Sequence, residues 1–122
     1  MKVADACNKD VDVLPPDATA QQAAAMMGDL SVRALVVGTA EAPAGIVTDR
    51  DLLLRLVAHG MDPKATPVHD IMSGELYACA PDDDLDTTLA EMAKRQIRRA
   101  AVIDTDGHLV GLLEAAPAAA LA

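Results

Sequence analysis

The chain alternates short apolar runs with polar, turn-forming stretches, and it does so twice in the same order. Apolar runs at residues 11–14 and 76–80 each stop at a proline, Pro15 and Pro81. Proline cannot donate to a strand ladder, so both runs read as strands that end there. Asp17 in the first copy, and the acidic run 82–84 in the second, then open helices. A carboxylate caps free N–H groups and suits the positive end of the helix dipole. The helices run to about Met27 and Lys94, and apolar strands follow at 34–37 and 100–103. The next turn is clearest at Asp104, Thr105, Asp106 and Gly107, since Asp-Gly between apolar runs signals a hairpin. The returning strands are 45–48 and 109–113. A closing helix is expected over 49–59, stopped by Gly60, and an Ala-rich helical stub after Pro117. The order is β-α-β-β-α, twice, which makes the fold mixed α/β of the α+β class.

The two copies also match residue by residue. A shift of 66 lays residues 15–45 on 81–111 without a gap, and nine pairs are identical: Pro15/Pro81, Asp17/Asp83, Ala24/Ala90, Met26/Met92, Arg33/Arg99, Ala34/Ala100, Val36/Val102, Thr39/Thr105 and Gly45/Gly111. Met26 and Met92, at matching helix positions, read as core residues. Upstream, residues 3–7 match 68–72 at a shift of 65, so one residue was gained or lost in between. Repeat 1 thus covers 1–60, a linker with two prolines covers 61–67, and repeat 2 covers 68–122. One repeat is about half a typical domain and marginal alone. Two packed sheet to sheet, as a pseudo-twofold pair, are expected to share a core and form one globular domain.

Composition narrows the function. With 122 residues the chain suits one domain, and 52% hydrophobic residues suit a globular core. That core has no Phe or Trp, and Tyr77 is the sole aromatic. The net charge of −9, without any Lys/Arg block, argues against nucleic acid as a partner. No apolar run reaches the roughly 18–20 residues needed to span a bilayer, and the first ten residues do not read as a signal peptide. A cytoplasmic setting is expected, and the Ala-rich composition fits a GC-rich bacterial genome. Cys7 and Cys79 have no metal-ligand spacing, His59, His69 and His108 lie far apart, and the acidic run 82–84 reads as a cap. Asp104-x-Asp106-Gly107 reads as a turn, because a calcium loop needs its glycine two positions later and a Glu at its twelfth position. No metal site is expected. Ser31 and Ser73 are the only serines and neither sits in a nucleophile elbow, while phosphate-binding glycine loops are absent. The chain is expected not to be an enzyme.

At the first strand-to-helix junction, Gly45, Ile46, Val47, Thr48, Asp49, Arg50 and Asp51 complete the pattern Gly, apolar, x, Thr/Ser, x, x, Asp. With the repeat and the segment 97–104, this resembles the cystathionine-β-synthase (CBS) domain family over essentially the whole chain, as one CBS pair or Bateman module. The resemblance implies a regulatory module that binds an adenosine nucleotide (AMP, ADP, ATP, S-adenosylmethionine or an NAD-type molecule) in a cleft between the repeats. It implies a homodimer and signalling through dimer geometry or an unknown client protein. No cofactor is implied beyond that regulatory ligand.

Carried over by position, the implied site comprises Ile46, Thr48, Asp49, Arg50 and Asp51, faced by Tyr77, Arg98 and Arg99. A carboxylate at Asp51 suits both hydroxyls of a ribose, with the Thr48 hydroxyl beside it. Free N–H groups at the start of the following helix suit a phosphate. Tyr77 can pack on adenine, and Arg98, supported by Arg99, can neutralise phosphate. Each residue also has a plainer role. Asp51 can serve its helix terminus, Thr48 a strand end, Tyr77 a half-buried strand, and the arginines a solvated edge. The second cleft departs from the pattern: Glu114 stands in the position of Thr48 and repels phosphate, Pro117 stands in that of Asp51, and Arg33 and Arg50 remain as anion contacts. The competing function is a ligand-free structural module for dimerisation or scaffolding.

Overall fold

The computed structural model describes residues 1–74 and 76–115. In chain order the elements begin with α1 (Val3–Ala6), β1 (Val13–Leu14), α2 (Ala20–Leu30), β2 (Ala34–Gly38), β3 (Pro43–Thr48) and α3 (Asp49–Asp51). A π-helical segment (Leu52–Val57) and a 3-10 turn (Val68–Asp70) follow, then β4 (Ala78–Cys79), α4 (Leu85–Lys94), β5 (Arg99–Ile103) and β6 (Leu109–Glu114). They divide into a contiguous unit, Asp12–Leu76, and a composite unit, Met1–Val11 with the chain from Tyr77 on. The compact units therefore do not follow the sequence repeats. The segment that leads each repeat belongs to the unit that contains the body of the other.

In the contiguous unit β1 pairs in parallel with β2 (Val13↔Val36), and β2 pairs antiparallel with β3 (Ala34↔Thr48 through Val37↔Gly45). Helix α2 starts at Thr19 and not at Asp17. The Thr19 Oγ1 accepts from the Gln22 N–H at 3.1 Å and the Gln22 Oε1 accepts from the Thr19 N–H at 2.9 Å. This reciprocal box satisfies two terminal donors, which a lone upstream carboxylate does not. Ala20, Ala23 and Met27, spaced three and four apart, turn one face onto Leu14, Leu35, Val37 and Val47. Val68 and Ile71 complete that core. The Val68 N–H donates to the Ala18 carbonyl at 2.7 Å, and Ser73 exchanges two backbone bonds with Ile46 at 3.1 and 2.9 Å.

The composite unit repeats the plan. Strand β4 lies parallel to β5 (Ala78↔Ala101), and β5 antiparallel to β6 (Ala100↔Leu113). Asp84 caps α4, as the acidic run suggests, accepting from the Thr87 N–H at 3.0 Å and its Oγ1 at 2.8 Å. Val3 is buried among Cys79, Met92, Ala100, Val102 and Leu113. Asn8 and Leu112 exchange backbone bonds at 2.9 and 2.8 Å, the counterpart of the Ser73–Ile46 pair.

These counterparts correct the register of the repeat. The caps Thr19 and Asp84 are 65 apart. So are the left-handed residues that end the two helices, Ser31 (φ 55°) and Gln96 (φ 58°), and the parallel pairs Val13↔Val36 and Ala78↔Ala101. Only past the hairpin does the offset become 66, as in Ile46 and Leu112. The extra residue sits in the turn itself: four residues separate the paired Gly38 and Pro43, and five separate the paired Ile103 and Leu109. The gap-free match at 66 is thus one residue out of step before the turn. The counterpart of Met92 is the buried Met27 and not the half-buried Met26. The counterpart of Arg33 is Arg98 and not Arg99.

Two other expectations need adjustment. The first and fourth strands shorten to two residues each, where the flanking chain leaves the ladder. The helix that starts at Asp49 changes to i→i+5 spacing, with the Ala58 N–H on the Leu53 carbonyl and the Met61 N–H on the Leu56 carbonyl, both at 3.0 Å. It ends before Gly60, whose φ of +64° suits glycine. The Ala-rich stub and Pro117 lie outside the described residues.

Candidate functional site

In the contiguous unit the candidate site begins where β3 becomes a helix. Gly45 is required there by close approach: a Cβ would sit 2.6 Å from the Ser73 carbonyl oxygen and 2.8 Å from the Met72 Sδ. Ile46 is fixed by its two bonds to Ser73. Three residues on, Thr48 and Asp51 lock together. The Thr48 N–H and Oγ1 both donate to the Asp51 Oδ2, at 2.9 and 3.1 Å, and the Asp51 N–H donates to the Thr48 Oγ1 at 3.2 Å. This is the same kind of box that starts α2. The junction brings together the pair that the sequence motif singles out.

The box leaves part of the carboxylate free. Oδ2 takes both bonds, while the nearest cation to Oδ1 is the Arg55 Nε at 3.7 Å, an ion pair and not a hydrogen bond. The Asp51 side chain is only 15% exposed, so its position is fixed. Arg55, which the motif does not include, also donates from Nη1 to the Met72 carbonyl at 2.9 Å. It ties the helix to the segment that leads the second repeat. Asp49 and Arg50 are exposed, and the Asp49 Oδ1 accepts only from the Arg50 N–H at 2.8 Å. Arg33 is exposed, and its carbonyl accepts from the Asp49 N–H at 3.0 Å.

In the composite unit Tyr77 is half-buried against the core and its carbonyl accepts from the Ala101 N–H at 2.8 Å. Its ring lies 5.4 Å beneath the guanidinium carbon of Arg95. The Arg95 Nε in turn donates to the Glu91 Oε1 at 2.8 Å. This hydrogen bond holds the Glu91 carboxyl below its ordinary value and raises Arg95 further above its own. Sequence reasoning passed over Arg95, although a Glu four residues before an Arg on a helix is the favourable order for such a pair.

The two arginines of the motif part company. Arg98 is exposed and makes no ion pair among the described residues. Arg99 sits opposite Glu114, 3.8 Å from Nε to Oε1, with that Nε buried and without a hydrogen-bond partner among the described residues. In the contiguous unit the equivalent cross-strand pair is Ala34 and Thr48. Glu114 thus stands in the position of Thr48, and Arg99, new at the position of Ala34, offsets its charge.

Burial pushes the Cys79 thiol up to about 11, with Asp83 and then Cys7 adding to the shift. Both cysteines are free. Among the described residues no cluster of three or more His, Cys, Asp or Glu is placed to hold a metal ion, and no helix is long and apolar enough to cross a membrane.

The chain is 37% identical over 111 residues to the CBS domain-containing protein YhcV of Bacillus subtilis, which covers 91% of this chain and 78% of that protein. Its fold is similar, with a TM-score of 0.82 and 28% identity, to a hexameric CBS-CP12 protein from bloom-forming cyanobacteria, over 93% of this chain and 66% of that one. The CBS domain protein PAE2072 from Pyrobaculum aerophilum, complexed with AMP, shares the fold with a TM-score of 0.82 and 24% identity, over 93% of this chain and 87% of that one. The CBS domain model itself matches twice, at residues 3–58 and 68–115, and the chain belongs to the CBS domain family as a CBS domain pair.

Proposed function

We propose that this CBS domain pair is a regulatory module that binds an adenosine nucleotide, with Asp51 accepting from the ribose hydroxyls. One observation carries the reading. Thr48 fixes one carboxylate oxygen of a largely buried Asp51 and leaves the other without a hydrogen bond among the described residues. A carboxylate oxygen offers two lone pairs, and a preset acceptor recognises a diol with little ordering cost. Arg98, an exposed cation without a carboxylate partner among the described residues, suits a phosphate; Arg99, already facing Glu114, suits one less. A protein of the same fold is complexed with AMP, which supports the ligand class.

The module acts without turning the ligand over, in the cytoplasm, and as an assembly of copies. Leu53, Leu54 and Val57 are exposed by 59, 45 and 64% on the helix after Asp51, an apolar surface that suits a second copy. The hexameric relative supports self-association of some order.

A second reading rests on the same junction. The Thr48–Asp51 box already stabilises a helix start, so the motif has a use in a purely structural module. Calorimetric titration with AMP, ADP, ATP, S-adenosylmethionine and NAD, on wild type, Asp51→Asn and Asp51→Ala, separates the two. Saturable binding that both variants lose, with ligand recovered intact, is the expected result. No heat from any of the five, after removal of co-purified nucleotide, overturns the nucleotide reading in favour of the structural one.

A further inference from the structure

Strand β1 lies at the edge of its sheet and is two residues long. Val13 is paired with Val36, and the Val36 N–H donates to the Asp12 carbonyl at 3.1 Å. In a parallel ladder a residue bonds to the neighbours on either side of its partner, so Val36 engages Asp12 and Leu14. The N–H and carbonyl of Val13 therefore face away from β2, and neither has another backbone partner among the described residues. Along this edge, between β1 and α2, runs an open groove of about 450 Å³ lined by residues of the contiguous unit alone. Leu14, Ala18 and Met26 make it apolar, and Asp17 and Gln22 give it a polar margin. The Gln22 Oε1 is taken by the Thr19 N–H, which leaves its amide N–H groups to donate. The groove lies away from the Thr48–Asp51 junction: Thr48 pairs with Ala34 at the start of β2, and Leu14 with Val37 near its end.

The repeat itself shows what suits Asp17. At the offset of 65 its counterpart is Asp82, whose Oδ1 lies 3.3 Å from the Lys2 ammonium. Lys2 bridges to Asp84 as Pro67 bridges to Thr19, so a proline stands where the composite unit has its lysine. Asp17 is exposed and makes no ion pair among the described residues. A free strand edge pairs with another backbone, an apolar groove takes an aliphatic side chain, and a carboxylate without a cation attracts Lys or Arg. The net charge of −9 draws such a segment in from a distance. We propose that this groove docks an extended, basic and aliphatic segment of a partner protein. Its backbone pairs with Val13, a Val or Leu side chain enters between Leu14 and Met26, and a flanking Lys or Arg meets Asp17. The site stands apart from the nucleotide reading above and names the chemistry of a partner.

The test is amide NMR on the full chain, titrated with three capped pentapeptides: KVKLK, its acidic twin EVELE, and KVKLK N-methylated along the backbone so that it cannot pair with a strand edge. Saturable shifts from KVKLK at Val13, Asp17 and Gln22, with little from the other two, are expected. Asp17→Asn weakens KVKLK by about threefold, the size of an exposed charge pair. Asp17→Lys abolishes its binding and admits EVELE, whereas Asp82→Asn, in the composite unit, changes nothing. All three substitutions are at exposed positions, and thermal melting checks that the variants fold. KVKLK shifts that are absent or centred elsewhere overturn the proposal. So does binding of EVELE or the N-methylated peptide as tight as that of KVKLK, or an Asp17→Lys variant that keeps the wild-type preference. Shifts at the same residues that grow with protein concentration, without peptide, overturn it in favour of a second copy. A wild type silent toward nucleotides but shifted by KVKLK supports it and fails the nucleotide reading alone.

Discussion

Gly45→Ala is the sharpest probe of how the second repeat's leading segment is built into the contiguous unit. The added Cβ falls 2.6 Å from the Ser73 carbonyl oxygen, which is backbone, and 2.8 Å from the Met72 sulfur. Ordinary contact is several tenths of an ångström longer, so strand β3 and the Ser73 segment must separate. That movement strains the two bonds between Ile46 and Ser73, now 3.1 and 2.9 Å. Overpacking costs about 1–3 kcal/mol and each of the two weakened bonds up to about 1 kcal/mol, so the loss is about 1–5 kcal/mol. Urea unfolding followed by far-ultraviolet circular dichroism measures it, with Gly28→Ala as the control. Gly28 lies in α2 with nothing within 4 Å of a new Cβ, and alanine there adds up to about 1 kcal/mol of stability. In the composite unit the atom nearest a Cβ on Gly111 is the Cys7 Sγ at 2.6 Å, a side chain. Gly111→Ala is therefore milder and is partly relieved by Cys7→Ala. If Gly45→Ala lies within about 0.5 kcal/mol of wild type, the close approach has been misread.

Other expectations follow from the same packing. Met92→Ala costs about 2–5 kcal/mol in urea unfolding, while Met26→Ala costs clearly less, because Met27 holds the equivalent core position. Equal losses at Met26 and Met92 would restore the offset of 66. Thr48→Ala removes the cap of the helix after β3 and costs about 1 kcal/mol, whereas Thr48→Ser retains most of it. A serine variant as weak as the alanine one would show that the hydroxyl is not what matters. The Cys79 thiol, raised to about 11 by burial, favours the folded state while protonated. Its share of stability is present below about pH 9 and is lost as pH rises toward 11. Cys79→Ala flattens that fall in urea midpoints measured between pH 8 and 11, and an unchanged slope would refute the assignment.

The element order was legible because each segment carries its own signal: prolines after the first strands, an acidic cap at Asp84, Asp-Gly at the hairpin. The register was not. Chance identities such as Arg33/Arg99 and Met26/Met92, in a chain rich in alanine and short on aromatics, favoured an offset that the hairpin length contradicts. Thr19 and Gln22 do spell a capping box, and Asp17 drew the assignment only because a carboxylate is the stronger isolated cue. The Thr48–Asp51 pair was visible as a motif, but its double use, as cap and as acceptor, follows from hydrogen-bond geometry that spacing does not encode. The i→i+5 stretch after Asp51 has no such cue, because five of the six residues from Leu52 to Val57 are apolar and suit several helical spacings. Arg95 was missed for a related reason. Its pair with Glu91 is local, but its contact with Tyr77 joins a helix end to a strand 18 residues earlier.

The composite unit sets an order of events as the chain is made. The strand pairs and backbone bonds of residues 12–76 close within that segment, so they can form as soon as residue 76 has emerged, whereas Val3 waits for Asp83 and Asn8 waits for Leu112. Until then the apolar side of the opening segment has nothing to cover it. Closing a loop of that length is slow, and prior collapse of the contiguous unit shortens the distance to be searched. Pulse-labelled hydrogen exchange should find the amides of Val36 and Ile46 protected before those of Asn8 and Leu112. Simultaneous protection would mean that the two units fold as one.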